Sequence, residues 1–205
     1  MKHKELAGKY LELSNSQFYH AFGYCVFRSL IPTYFIYECL DKHKKILTRI
    51  KSRLLRSNGR REEHIFKNKL FTNPLLDLHS SEEPGVTQYS SVLNSVLRFS
   101  KLKSAIKKTA SISDLKISKT IVFESVSDCV FDKDFGCHIT LIDTNNIFVH
   151  SASHLNKGRP NKDSKIEIEL ELGDVLLLNE KIVAGIESDE KYCPSIRCLY
   201  EHKKA

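Results

Sequence analysis

The stretch Gly23-Tyr24-Cys25-Val26-Phe27-Arg28-Ser29-Leu30 places a cysteine two residues after a glycine. A thiol presented this way can serve as a nucleophile if a neighbouring imidazole holds it ionised and a third group orients that imidazole. His138, within Cys137-His138-Ile139-Thr140-Leu141, is the candidate base, with Asp143 or His150 as the third group. The same residues also support a structural reading. Phe18, Phe22, Cys25, Val26 and Leu30 fall on helical spacing, and free cysteine is among the most buried residue types. A catalytic cysteine usually begins its helix, whereas this apolar pattern starts well upstream.

A second constellation lies in the C-terminal half: Cys129, Cys137, His138, His150, His154, Cys193 and Cys198. Thiolates and imidazoles are zinc donors, but a closed site takes four at short, regular spacing. Here no Cys-x2-Cys occurs and Cys193 and Cys198 are widely set, so small core thiols and surface histidines explain the set better. No metal and no cofactor are expected. The chain also lacks GxxxxGK[ST], GxGxxG and GxSxG, which removes support for nucleotide-dependent and α/β-hydrolase chemistry.

The third constellation is basic. Between Lys42 and Lys69 the sequence carries eleven Lys or Arg against two acids, Glu62 and Glu63. Lys44, Lys45, Arg49, Arg53, Arg56, Arg60 and Arg61 are the candidate contacts for nucleic acid or an acidic partner, because such a face neutralises phosphates and releases their counterions. The imbalance extends over the whole first half. Residues 1–113 hold 20 basic and 9 acidic side chains, net +11, against 12 and 16, net −4, over 114–205.

The elements that must position these groups change period along the chain. Residues 16–31 are apolar on nearly every face and predict a buried helix. Ile46, Leu47, Ile50 and Leu54 mark an amphipathic helix ending at Ser57-Asn58-Gly59, and Tyr89 to Phe99 mark a last helix over about 88–108. Pro74, Pro84 and Gly85 place a loop near 73–86. Beyond residue 114 the period falls to 2. Ile166, Ile168, Leu170 and Leu172 alternate with Lys165, Glu167, Glu169 and Glu171, as in a strand with one wet face. Two apolar runs around Asn179–Lys181, and two more around Asp143–Asn146, each read as a hairpin.

The fold class expected is therefore α+β: a basic helical N-terminal module over 1–113, then a small antiparallel β barrel or sandwich over 114–205. With no run long enough to span a bilayer, no signal-peptide pattern and six scattered cysteines, a cytoplasmic protein with reduced thiols is expected. The leading functional expectation is a non-enzymatic accessory or adaptor that binds a protein partner, nucleic acid or both through its basic helix. The alternative is a papain-like cysteine hydrolase. Gly23, Cys25, Phe27, Arg28 and Leu30 resemble the nucleophile motif of the ovarian-tumour deubiquitinating proteases, with Phe22 in place of that family's acidic residue. The segment from His138 to Ser153 is similar to the histidine strand of NlpC-type peptidases. Those resemblances imply Cys25 as nucleophile and His138 as base.

Overall fold

The computed structural model describes residues 1–41, 45, 76–77, 99–123, 129–130, 135–156, 161–186 and 195–204. The chain opens with two short helices, α1 (His3–Lys9) and α2 (Asn15–Phe22). Ser14 caps α2: its hydroxyl accepts from the Gln17 N–H, and the Gln17 side chain accepts in turn from the Ser14 N–H. The helix expected over 16–31 then breaks. Gly23 takes φ +82°, a left-handed conformation that favours glycine, and a Cβ there would sit 2.4 Å from Nδ1 of His154. The chain leaves that cap as a strand, β1 (Tyr24–Phe27). Cys25 thus lies in a sheet, not a helix.

A helical stretch at 33–41 follows. Next come β2 (Leu76–Asp77), helix α3 (Ser100–Ala110) and the long β3 (Ile112–Phe123). The remaining strands are β4 (Cys129–Val130), β5 (Gly136–Thr140), β6 (Thr144–His150), β7 (Lys165–Leu170), β8 (Val175–Leu178), β9 (Val183–Ile186) and β10 (Ser195–Lys204). They form two antiparallel sheets. One has the order β1-β8-β5-β10-β3-β2 and the other β4-β9-β6-β7.

The chain alternates between these sheets. β5 and β8 belong to the six-stranded sheet, whereas β6 and β9 belong to the four-stranded one. The connections over 141–143 and 179–182 are therefore arches from sheet to sheet, not hairpins, and Thr144–Asn146 of the expected first turn lie in β6. Of the consecutive strands from β5 to β10, only β6 and β7 pair directly, with Ile147 opposite Ile168 and Val149 opposite Ile166. This is a jelly-roll arrangement. It replaces the expected helical N-terminal module joined to a separate small barrel, because β1 from the N-terminal region is itself a strand of the larger sheet, paired with β8 from Tyr24↔Leu178 to Phe27↔Val175.

Two apolar layers hold the fold. Ile147, Val149, Ile166, Ile168, Leu170 and Ala184 from the smaller sheet pack with Tyr24, Leu176, Leu178 and Leu199 from the larger, filling the space between sheets. The other face of the larger sheet carries Cys25, Cys137, Ile139, Leu177, Ile196 and Cys198. It is covered by Leu102 and Ile106 of α3, by Tyr19 of α2, and by Ile36 and Cys39. The alternating strand read from Lys165 to Leu172 is present as β7, with Ile166, Ile168 and Leu170 buried. One corner is pinned electrostatically: the buried carboxylate of Asp174 accepts from the guanidinium of Arg28 and from the N–H groups of Ser29 and Glu171. Arg28 of the quoted motif is thus a structural tie between the end of β1 and the β7–β8 turn.

Candidate functional site

The strand period places His138 and Cys25 apart. Cys137 and Ile139 belong to the helix-covered layer, so His138 between them faces the space between the sheets, opposite Leu176 in β8. Cys25 faces the helices and shares a row with Leu177 and Cys137. The two residues lie on opposite faces of one sheet with β8 between their strands. Burial leaves Cys25 only 3% exposed and pushes its thiol up to about 12, away from thiolate. The pairing required of a cysteine hydrolase is absent, and the alternative function fails on geometry.

The other proposed third groups are also engaged structurally. Oδ1 of Asp143 accepts from the Leu172 N–H at 2.8 Å. His150 Nδ1 lies 3.3 Å from the carbonyl oxygen of Asn161, and His154 Nε2 donates to the carbonyl oxygen of His20 at 3.0 Å. The cysteine and histidine set considered for zinc is dispersed. Cys137 and Cys198 are register partners on the helix-covered face, His138 faces the interior, Cys129 is in β4, and Cys193 lies outside the described residues. Among the described residues, no group of three His, Cys, Asp or Glu side chains could hold a metal ion. Of the basic candidates, Lys45 forms an exposed ion pair with Asp41 at 2.6 Å. Lys44, Arg49, Arg53, Arg56, Arg60 and Arg61 lie outside the described residues.

What the fold does gather is a polar patch inside the apolar sandwich. His138, Thr140 and Ser195 are each 0% exposed. Residues two apart on a strand share a face, so Thr140 follows His138 on the interior side of β5. Ser195, at the start of β10, is the register partner of Thr140, and Arg197 stands in register with His138. The patch therefore draws on two strands separated by more than fifty residues of chain. The Thr140 and Ser195 hydroxyls have no hydrogen-bond partner among the described residues. A buried hydroxyl left this way costs about 1–3 kcal/mol, so it is the kind of group that function retains and packing alone does not. Sequence reading identified His138 but missed both hydroxyl residues. A single Thr and a single Ser in strands carry no local signal; only the register Ser195↔Thr140 makes them a pair.

No family model matches the chain, and neither does any curated protein sequence. Solved structures do resemble it. The non-heme alpha-ketoglutarate-dependent carbocyclase SnoK of nogalamycin biosynthesis superposes with a TM-score of 0.61 at 13% identity, over 93% of this chain and 84% of that one. The non-heme monooxygenase ThoJ gives a TM-score of 0.62 at 11% identity, over 92% and 77%. HygX from Streptomyces hygroscopicus, solved with nickel and 2-oxoglutarate bound, gives 0.55 at 10% identity, over 100% and 88%. An enzyme architecture shared along nearly the whole chain overturns the expectation of a non-enzymatic adaptor or accessory nucleic-acid-binding protein, and equally gives no support to a papain-like one. At 10–13% identity the likeness is one of fold: the chain shares its jelly-roll architecture with these solved structures.

Proposed function

We propose that the chain handles a small organic acid of the 2-oxo acid class, taken between its two sheets at His138, Thr140 and Ser195. The observation that carries this reading is the pair of facing, fully buried hydroxyls with no partner among the described residues, set beside the His138 imidazole with Arg197 in register with it. A hydroxyl donates one hydrogen bond and accepts others, and an imidazole can donate too, so together they suit a carboxylate or ketone oxygen. The ligand class is supported by the structural neighbours, one of which holds 2-oxoglutarate with nickel and another alpha-ketoglutarate with Fe3+.

The iron of those enzymes is a separate matter. A non-heme Fe(II) centre of this kind takes two histidines and one carboxylate. Here the register places Thr140, Ser195, Arg197 and Leu176 beside His138 on its own strand and on the adjacent strands. Among the described residues, two neutral hydroxyls, an arginine and an alkyl group do not fit that donor set, so no reaction step is assigned to iron.

Calorimetry and thermal-shift titration with 2-oxoglutarate, pyruvate and succinate test the proposal. One of these acids should bind saturably, and Thr140→Val or Ser195→Ala should weaken it at least about tenfold, since a hydrogen bond to a charged group is worth about 1.5–3 kcal/mol. No binding at millimolar acid, or equal affinity in both variants, would overturn it.

A further inference from the structure

We infer that the outward face of α3 is an anion-binding groove whose ligand is a small molecule carrying two or more linked phosphate groups. α3 packs on the face of the larger sheet opposite to the interior patch, so this inference goes beyond the proposed function and does not depend on it.

One side of α3 buries Leu102, Ile106 and Thr109. At helical spacing, Ser100, Lys103, Ser104, Lys107 and Lys108 fall together on the other side. Those five residues and Ile112, the first residue of β3, line a groove of about 630 Å³, within the range of roughly 300–1,000 Å³ typical of small-molecule sites. Three ammonium groups and two hydroxyls are donors, so the lining suits an anion with several acceptor oxygens and has little to offer an apolar or cationic ligand. The local charge is one-sided: residues 99–113 contain four lysines and no aspartate or glutamate. Other surface lysines are paired, since Lys2 and Lys4 both reach Glu169 and Lys45 reaches Asp41. Nζ of Lys107 instead donates to the carbonyl oxygen of Ser113 at 2.9 Å, which fixes one ammonium at the groove and leaves two of its N–H donors for a ligand. The register of β10 with β3 sets Lys204 opposite Ile112 and Lys203 opposite Asp114, so two further lysine positions come to the same end of the helix. Like charges repel and spread along the groove instead of converging on one point, which matches a chain of linked phosphates better than a single one.

The test is calorimetric titration of the full chain with inorganic triphosphate and with orthophosphate at equal, low ionic strength. Triphosphate should bind saturably and at least about tenfold more tightly than orthophosphate, and it should weaken at least about tenfold in 1 M salt, where charges are screened beyond about 3 Å. Lys103→Glu/Lys107→Glu should lower triphosphate affinity at least about tenfold, since each reversed charge turns an attraction into a repulsion. The same charge change at the edge of the smaller sheet, Lys2→Glu/Lys4→Glu, should leave it within about threefold, because distant surface charges are screened. Lys107→Glu also removes the bond to Ser113, so Lys103→Gln/Lys108→Gln, which keeps that bond, is measured beside it and should weaken binding at least about threefold. No saturable triphosphate binding, equal affinity for orthophosphate, an equal loss in the Lys2/Lys4 variant, or unchanged affinity in both groove variants would overturn the inference. None of these measurements involves Thr140 or Ser195, so acid binding at the interior patch stands or falls separately.

Discussion

Thr140→Val is the most informative single change in this protein, because its two effects should have opposite sign. Valine keeps the branched shape of threonine and replaces only the hydroxyl by a methyl. The Thr140 side chain is fully buried and its oxygen has no partner among the described residues. Leaving such a group unsatisfied costs about 1–3 kcal/mol, so its removal should stabilise the ligand-free protein by at least about 1 kcal/mol. For a chain of this size each kcal/mol moves the melting temperature by about 2–4 °C. Differential scanning calorimetry of the wild type and variant, without added acid, should therefore show an upward shift of at least about 2 °C. The same change should weaken acid binding. A stabilised protein that has lost affinity is the signature of a polar group kept for function against the demands of packing. If Thr140→Val instead lowers the melting temperature, its hydroxyl is making a structural hydrogen bond, and the reading of the interior patch as a ligand site loses its foundation.

Three further outcomes follow from the same packing. His3 is buried against Tyr24, and burial, with help from Arg28, lowers its pKa to about 4 against an ordinary 6.5. The unfolded chain then binds the extra proton first, so stability should be level above about pH 6.5 and fall by about 2–3 kcal/mol as pH drops towards 4; urea melts across that window should lose this slope in His3→Gln. Cys25, held near 12 by burial, should resist alkylation by iodoacetamide at pH 8 in the native state and react only on unfolding, and rapid native labelling would place it wrongly. Gly23→Ala should destabilise by about 1–3 kcal/mol in chemical denaturation, since its Cβ meets His154 at 2.4 Å in a left-handed backbone, and a neutral result would mean that the α2–β1 corner relaxes freely.

Local chemistry in the chain was readable wherever one segment decides its own state. The alternation from Lys165 to Leu170 required a strand with one buried face, and β7 has it, because period 2 admits no other way of burying Ile166, Ile168 and Leu170 together. The turn read at Asn179–Lys181 is present, whereas the one read at Asp143–Asn146 falls earlier, because Thr144–Asn146 already belong to β6. What they joined was not readable. An apolar run, a polar turn and another apolar run satisfy a hairpin and an arch between two sheets equally well, since both bury each run on one face. Only long-range pairing, β8 with β1 and β5, and β9 with β6, chooses between them. The N-terminal segment failed for a related reason. Residues 16–31 show an apolar pattern compatible with a helix, but the left-handed turn at Gly23 ends it and the docking along β8 makes Tyr24–Phe27 a strand. Propensity is worth tenths of a kcal/mol per residue and yields to a row of paired backbone groups and buried side chains. The interior patch belongs wholly to tertiary structure. His138 is a recognisable chemical group in any sequence, but Thr140 and Ser195 become a pair only when β10 lies against β5 in that register. It is the burial of both hydroxyls, not their identity, that gives them a role.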